Sequence, residues 1–141
     1  VRPLEALQAT LAAEHAAVHA YGVVGGRLPS ADNPALAERF RSAYEAHRGR
    51  RDWLRSRIAD RGADPSPAAL GYSVPVEGRD PVELTSVARG VEERCAAVYA
   101  QLVASSTGED RRWGLDALTS TSVLLLSLGA EPTAFPGAPE L

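Results

Sequence analysis

The sequence predicts an all-α four-helix bundle with one long crossover between helices two and three, and three observations carry that reading. Apolar residues recur at spacings of three, four and seven along four separate segments, and nothing between them alternates like a strand. Proline and glycine mark the boundaries of these segments. Two of the three connections are short, and the third is long and broken by prolines.

The first helix is expected over 3–26, with Pro3 near its start and Gly25-Gly26 at its end. Its stripe is Leu4, Leu7, Leu11, Val18, Tyr21 and Leu28, and Glu14 falls inside it. The second, 34–61, takes Asn33 as N-cap and Pro34 as first residue, and Gly62 closes it. His47 sits near the centre of its stripe of Leu36, Phe40, Ala43, Leu54 and Ile58. The third, 81–105, opens with Asp80-Pro81-Val82-Glu83 at capping-box spacing, and its stripe reads Leu84, Val87, Val91, Cys95, Val98 and Leu102. The fourth, 108–129, opens with Ser106-Thr107-Gly108-Glu109 in the same way and stops before Pro132. Its stripe is Trp113, Ala117, Thr121, Leu124 and Leu128. The tail, 130–141, carries three prolines and a glycine and is expected to lie extended over the bundle, so that 1–141 form one domain.

The connections choose the wiring. Short links at 27–33 and 106–108 make helices one and two antiparallel neighbours, and likewise three and four. Residues 63–79, with Asp64-Pro65-Ser66-Pro67, Gly71 and Pro75, cannot form a long helix. Fully extended they reach at most ~60 Å at ~3.5 Å per residue. A helix of ~25 residues is only ~37 Å long. The segment can therefore run the length of the bundle and set helix three parallel to helix two.

Composition excludes several function classes. A net charge of -3 gives no basic field to recruit nucleic acid. All 15 basic residues are arginine, and the 25 alanines favour helix. One cysteine, Cys95, allows neither an internal disulfide nor a multi-cysteine metal site. No apolar run approaches the ~18 residues that cross a membrane, so a cytoplasmic protein is expected. The chain begins at Val1 and has no methionine, which reads as a trimmed N-terminus that leaves an exported form open.

Two polar residues on core faces are the sharpest local signal. A carboxylate or an imidazole among apolar side chains is costly without a partner or a metal. With Gly26 opposite Pro34 in an antiparallel hairpin, Glu14 stands level with Ala46 or His47. The pair reads either as a metal remnant or as a buried acid–imidazole hydrogen bond to which Tyr44 or Tyr21 adds a hydroxyl. Elsewhere no comparable constellation emerges. His15 and His19 have i, i+4 spacing but no third ligand. Arg41, Glu45, Arg48, Asp52 and Arg55, with Arg50, Arg51 and Arg57 nearby, read as a solvated helix face laced with weak ion pairs. Cys95 reads as a core thiol, and no Gly-x-Ser-x-Gly elbow or strand-borne phosphate loop is present.

Glu14-His15-Ala16-Ala17-Val18-His19-Ala20-Tyr21-Gly22, Ala46-His47-Arg48-Gly49-Arg50-Arg51-Asp52 and Ala134-Phe135-Pro136-Gly137 resemble an actinobacterial ferritin-like family of unknown function. The resemblance implies the ferritin-like fold, whose one long crossover matches the wiring above. In di-iron members two helices each supply a Glu and two supply Glu-x-x-His. Glu14 matches the first Glu and His47 the first His, but Tyr44 stands where that His needs its Glu, and Glu45 points about 160° away from His47. Glu92 lies about 100° off the centre of the third stripe, Glu93 faces away, and the fourth stripe has neither Glu nor His. The expectation is a ferritin-like module of unknown role, non-enzymatic, with a degenerate metal site and no cofactor, that forms a homodimer or binds a protein partner, and engages neither nucleic acid nor membrane. The alternative is a metal-binding or di-iron-type oxidase that holds Fe or Mn with Glu14, His47 and Glu92.

Overall fold

The computed structural model describes residues 1–141, with helices α1 (Pro3–Arg27), α2 (Pro34–Asp60), α3 (Pro81–Ser105) and α4 (Gly108–Ser127) and no strand. Proline opens the first three, where its missing N–H leaves no bond unmade. Asp80 caps α3 by accepting from the Val82 N–H at 3.0 Å. Two other caps differ from expectation. Asn33 stands at the N-cap of α2, but its amide donates to the Pro29 carbonyl at 3.1 Å and tightens the preceding turn instead. Ser106 does not open α4: its hydroxyl turns back to the Leu102 carbonyl at the end of α3, and Thr107 takes the N-cap position with no side-chain bond. Gly62, at φ 74°, provides the left-handed turn that ends α2.

α1 packs against α2 and α3, and α3 against α4. Level contacts fix the directions. His47 meets Glu92 and Arg50 meets Tyr99, so α2 and α3 run parallel across the bundle's diagonal. Tyr21 meets Glu92 and Glu14 meets Tyr99, so α1 and α3 are antiparallel. The crossover climbs beside α1 to make this possible. Gln8 holds Asp64 and Ser66, His15 lies 3.0 Å from the Ser66 carbonyl, His19 packs on Tyr72, and Arg27 donates to the Glu77 carbonyl. His15 and His19 thus brace the crossover.

The helices are unevenly spaced. α3 and α4 approach closely at Gly114, where a Cβ would lie 3.1 Å from Val103 Cγ2. Between α2 and α4 the gap is filled by long side chains: Trp53 stacks on Trp113 at 4.6 Å, and Arg57 and Arg61 both engage the buried Asp110. The core has two apolar parts. Tyr21, Val24, Phe40, Leu84 and Val91 belong to the larger, and Leu7, Leu11, Leu54, Ile58 and Leu102 to the smaller. The tail docks on α3 and α4, but it turns at Phe135–Ala138 and does not stay extended (Ala138 N–H to the Phe135 carbonyl, 3.1 Å). No helix is long and apolar enough to cross a membrane.

Candidate functional site

Polar side chains from all four helices meet between the two apolar parts of the core. Glu14, His47 and Glu92 are each 0 % exposed. The His47 ring lies between the two carboxyls. Nδ1–H donates to Glu14 Oε2 at 2.6 Å, and Nε2–H donates to Glu92 Oε1 at 2.8 Å. A carboxylate stands at each nitrogen and the pKa lies above neutrality, so at neutral pH the ring carries both protons as an imidazolium. Burial alone would depress its pKa, but hydrogen bonds and charge from Glu14 and Glu92 outweigh that and raise it to about 9.

Two tyrosines complete the acceptor side. Tyr21 OH donates to Glu92 Oε1 at 2.6 Å, and Tyr99 OH donates to Glu14 Oε1. Burial, reinforced by the neighbouring carboxylates, drives both phenols far above their ordinary range, so they act as fixed donors. Arg50 enters from the flank of α2 and donates to Tyr99 OH at 3.2 Å and to Thr121 Oγ1 at 3.4 Å. Burial would raise the Glu92 pKa, but the bond and charge of His47, with help from the Tyr21 hydroxyl, hold it below the usual carboxylate range. Glu92 Oε2 remains buried with no hydrogen-bond partner. Cys95 is buried beside the cluster with its thiol pKa pushed up by burial, so it stays protonated as a core thiol.

The structure therefore brings Glu14, His47, Tyr21 and Glu92 together. Tyr44 is the exception. Its ring packs at the edge of the core with the Arg48 guanidinium 5.6 Å from its centroid, and it gives no hydroxyl to the cluster. Three members, Tyr99, Arg50 and Thr121, were not singled out as site residues by the sequence. The inward face of α3 runs through Leu84, Ala88, Val91, Glu92, Cys95, Tyr99 and Leu102, with Ala96 also buried, while Val87 and Val98 are only half-buried. A stripe read through the polar and aromatic members of that 3–4 spacing would have found both Glu92 and Tyr99. The arginine ladder on α2 is a solvated face, with exposed pairs such as Arg41–Glu38 and Arg48–Glu45, but Arg50 and Arg57 leave it to serve the interior.

A family model described as a domain of unknown function, DUF4439, matches residues 6–140. The chain belongs to this family. This DUF4439 domain is similar to a conserved hypothetical protein, Rv2844, from Mycobacterium tuberculosis, with 29% identity, 94% of each chain covered and a TM-score of 0.80. It also resembles a ferritin-like diiron-carboxylate protein from Bacillus anthracis str. Ames, with 18% identity, 89% of this chain and 86% of that one covered, and a TM-score of 0.63. A search of curated proteins gives no match. The fold is thus ferritin-like.

The donor set of this DUF4439 domain differs from the two Glu and two Glu-x-x-His of a dinuclear carboxylate centre. No group of three or more His, Cys, Asp or Glu side chains is disposed around a common point. Glu14 and Glu92 flank opposite edges of one imidazolium, whose two nitrogens are both already donors. The inward positions of α4 carry Ala117 and Thr121 at this height, and its buried carboxylate, Asp110, is held by two arginines elsewhere.

Proposed function

We propose that this protein is a non-enzymatic ferritin-like module, binding or structural in role, whose degenerate metal site has become a self-neutralised charge cluster needing no cofactor. One observation carries the reading: the His47 ring is interposed between Glu14 and Glu92, with one nitrogen turned to each. Protein cations supply the charge that a metal would otherwise bring: His47 lies between the two carboxylates, and Arg50 stands one hydroxyl away, on Tyr99. A coordinating imidazole must present a bare nitrogen to the ion, and this ring has none to present. The Mycobacterium relative agrees with an actinobacterial ancestry for the arrangement.

The partner in this reading is a second copy of the chain or another protein. The outer face of α4 supports it, because Leu115, Val123 and Leu126 are exposed there at roughly helical spacing.

Elemental analysis of protein purified without a histidine tag, before and after incubation with Fe(II), Mn(II) or Zn(II), tests the proposal. The expected content is well below one equivalent of any of them. A stoichiometric ion at mid-bundle, lost in Glu14→Gln and His47→Gln, would overturn it in favour of the metal-binding or oxidase alternative.

A further inference from the structure

On the outer side of α3 and α4, away from the charge cluster, the docked tail roofs a cavity of about 450 Å³. That is within the ~300–1,000 Å³ range of small-molecule sites. Its floor is Ala96 and Ala97 of α3 with Leu125 of α4, and Phe135 and three prolines of the tail form the opposite wall. The roof is held in place. Gly137 has φ 76° and lies so near the Ala96 carbonyl that a Cβ would collide with it. The prolines further restrict the chain.

The charge of the lining is one-sided. Glu93 and Glu131 are its two charged residues, both acidic, and neither takes part in any of the chain's ion pairs. An apolar chamber with carboxylates at its edge and one aromatic ring in its wall has the features that select a hydrophobic organic cation. The apolar body enters the alanine–leucine–proline chamber. The cationic head is drawn by the two carboxylates and by the face of Phe135.

We infer that the cavity between α3, α4 and the C-terminal tail is a binding site for a small amphiphilic amine. This is independent of the reading of the charge cluster and stands whether or not that cluster takes a metal.

Three probes of one shape and different charge test it: phenylbutylamine, phenylbutanol and phenylbutyrate, each titrated into the full chain. Calorimetry gives affinity, and amide chemical shifts give location. The amine should bind saturably, with the largest shifts at Ala96, Ala97, Ser122 and Leu125, and more tightly than the alcohol, with the acid weakest. The double variant E93Q/E131Q, at two exposed positions, should weaken the amine by about fivefold and leave the alcohol unchanged. Ala97→Leu, which adds bulk to the floor from an exposed helical position, should abolish the shifts without altering the helical circular dichroism. Absence of saturable shifts with the amine would overturn the proposal. So would equal affinity for all three probes, or amine binding that neither variant changes.

Discussion

Tyr21 lies over His47, with ring centroids 5.4 Å apart and planes 21° from parallel, and its hydroxyl donates to the same Glu92 oxygen that accepts from His47 Nε2. One tyrosine therefore covers the face of the imidazolium and shares its acceptor. Glu92 Oε1 receives two donors and Oε2 receives none. On the far edge of the ring, Tyr99 and Nδ1 of His47 divide the two oxygens of Glu14 between them. The arrangement suits a permanent ion cluster, and it makes each member dependent on the others.

Removing one member should strand its partners. His47→Ala leaves two buried carboxylates facing each other across a void, and Glu14→Ala leaves His47 Nδ1–H and the Tyr99 hydroxyl without an acceptor. Each is expected to cost about 3 kcal/mol in urea unfolding. Apolar replacement of Glu14, His47 and Glu92 together, with side chains of similar volume, should cost less than the sum of the single losses. A single variant that unfolds at the wild-type midpoint would refute this dependence.

Stability should fall on both sides of a plateau in pH. His47 has a pKa of about 9 in the fold against an ordinary 6.5, so its contribution is complete below 6.5 and lost as pH rises through 9. That loss is on the order of 3 kcal/mol. Glu92 is held below its ordinary 4.5, so its contribution is present above that value and lost as pH falls below it. Urea midpoints measured from pH 4 to 10 should show both declines. In His47→Gln the alkaline decline attributed to this residue should disappear.

Asp110 should matter as much as any apolar core residue on α4. It is 1 % exposed, accepts from Arg57 Nε at 2.6 Å, and takes Arg61 on its other oxygen. It also lies in the first turn of its helix, where negative charge is favoured. Asp110→Ala is expected to destabilise by about 2 kcal/mol. Arg61→Ala should cost less, because Arg57 still holds the carboxylate. Thermal unfolding of the two variants side by side checks that ordering.

Gly137→Ala should release the tail without unfolding the bundle. The substitution meets both a positive φ and the Ala96 carbonyl. Limited proteolysis should then cut at 130–141 faster than in the parent chain, while the helical signal is unchanged.

Much of this arrangement was legible in the sequence. Four capped periodic segments and a proline-broken link predict the bundle and its wiring, and hairpin register alone puts Glu14 level with His47. The remainder was hidden for identifiable reasons. On α3, following the β-branched Val87 and Val98 rotated the inferred face away from Glu92 and Tyr99, which share equally good spacing. Arg50 starts at the edge of a charged helix and reaches inward along its aliphatic stem, which no periodicity reports. Asp110 stands in a helix's first turn, where an acid is ordinary, and its partners lie 49 and 53 residues away, so no local pattern marks it as buried.

The cluster draws Glu14, Tyr21 and His47 from the α1–α2 hairpin, and Glu92, Tyr99 and Thr121 from the α3–α4 hairpin. Each hairpin is a local unit, and the two are tethered only by the crossover. Along their alanine- and leucine-rich faces, sliding one past the other by a helical turn, about 5.4 Å, would still put apolar surface against apolar surface. It would also take Glu92 off His47 and Tyr99 off Glu14, leaving charges dry and unanswered. The ions at mid-height therefore act as an indexing mark for assembly: of the many greasy ways two hairpins can dock, they leave one without a stranded charge.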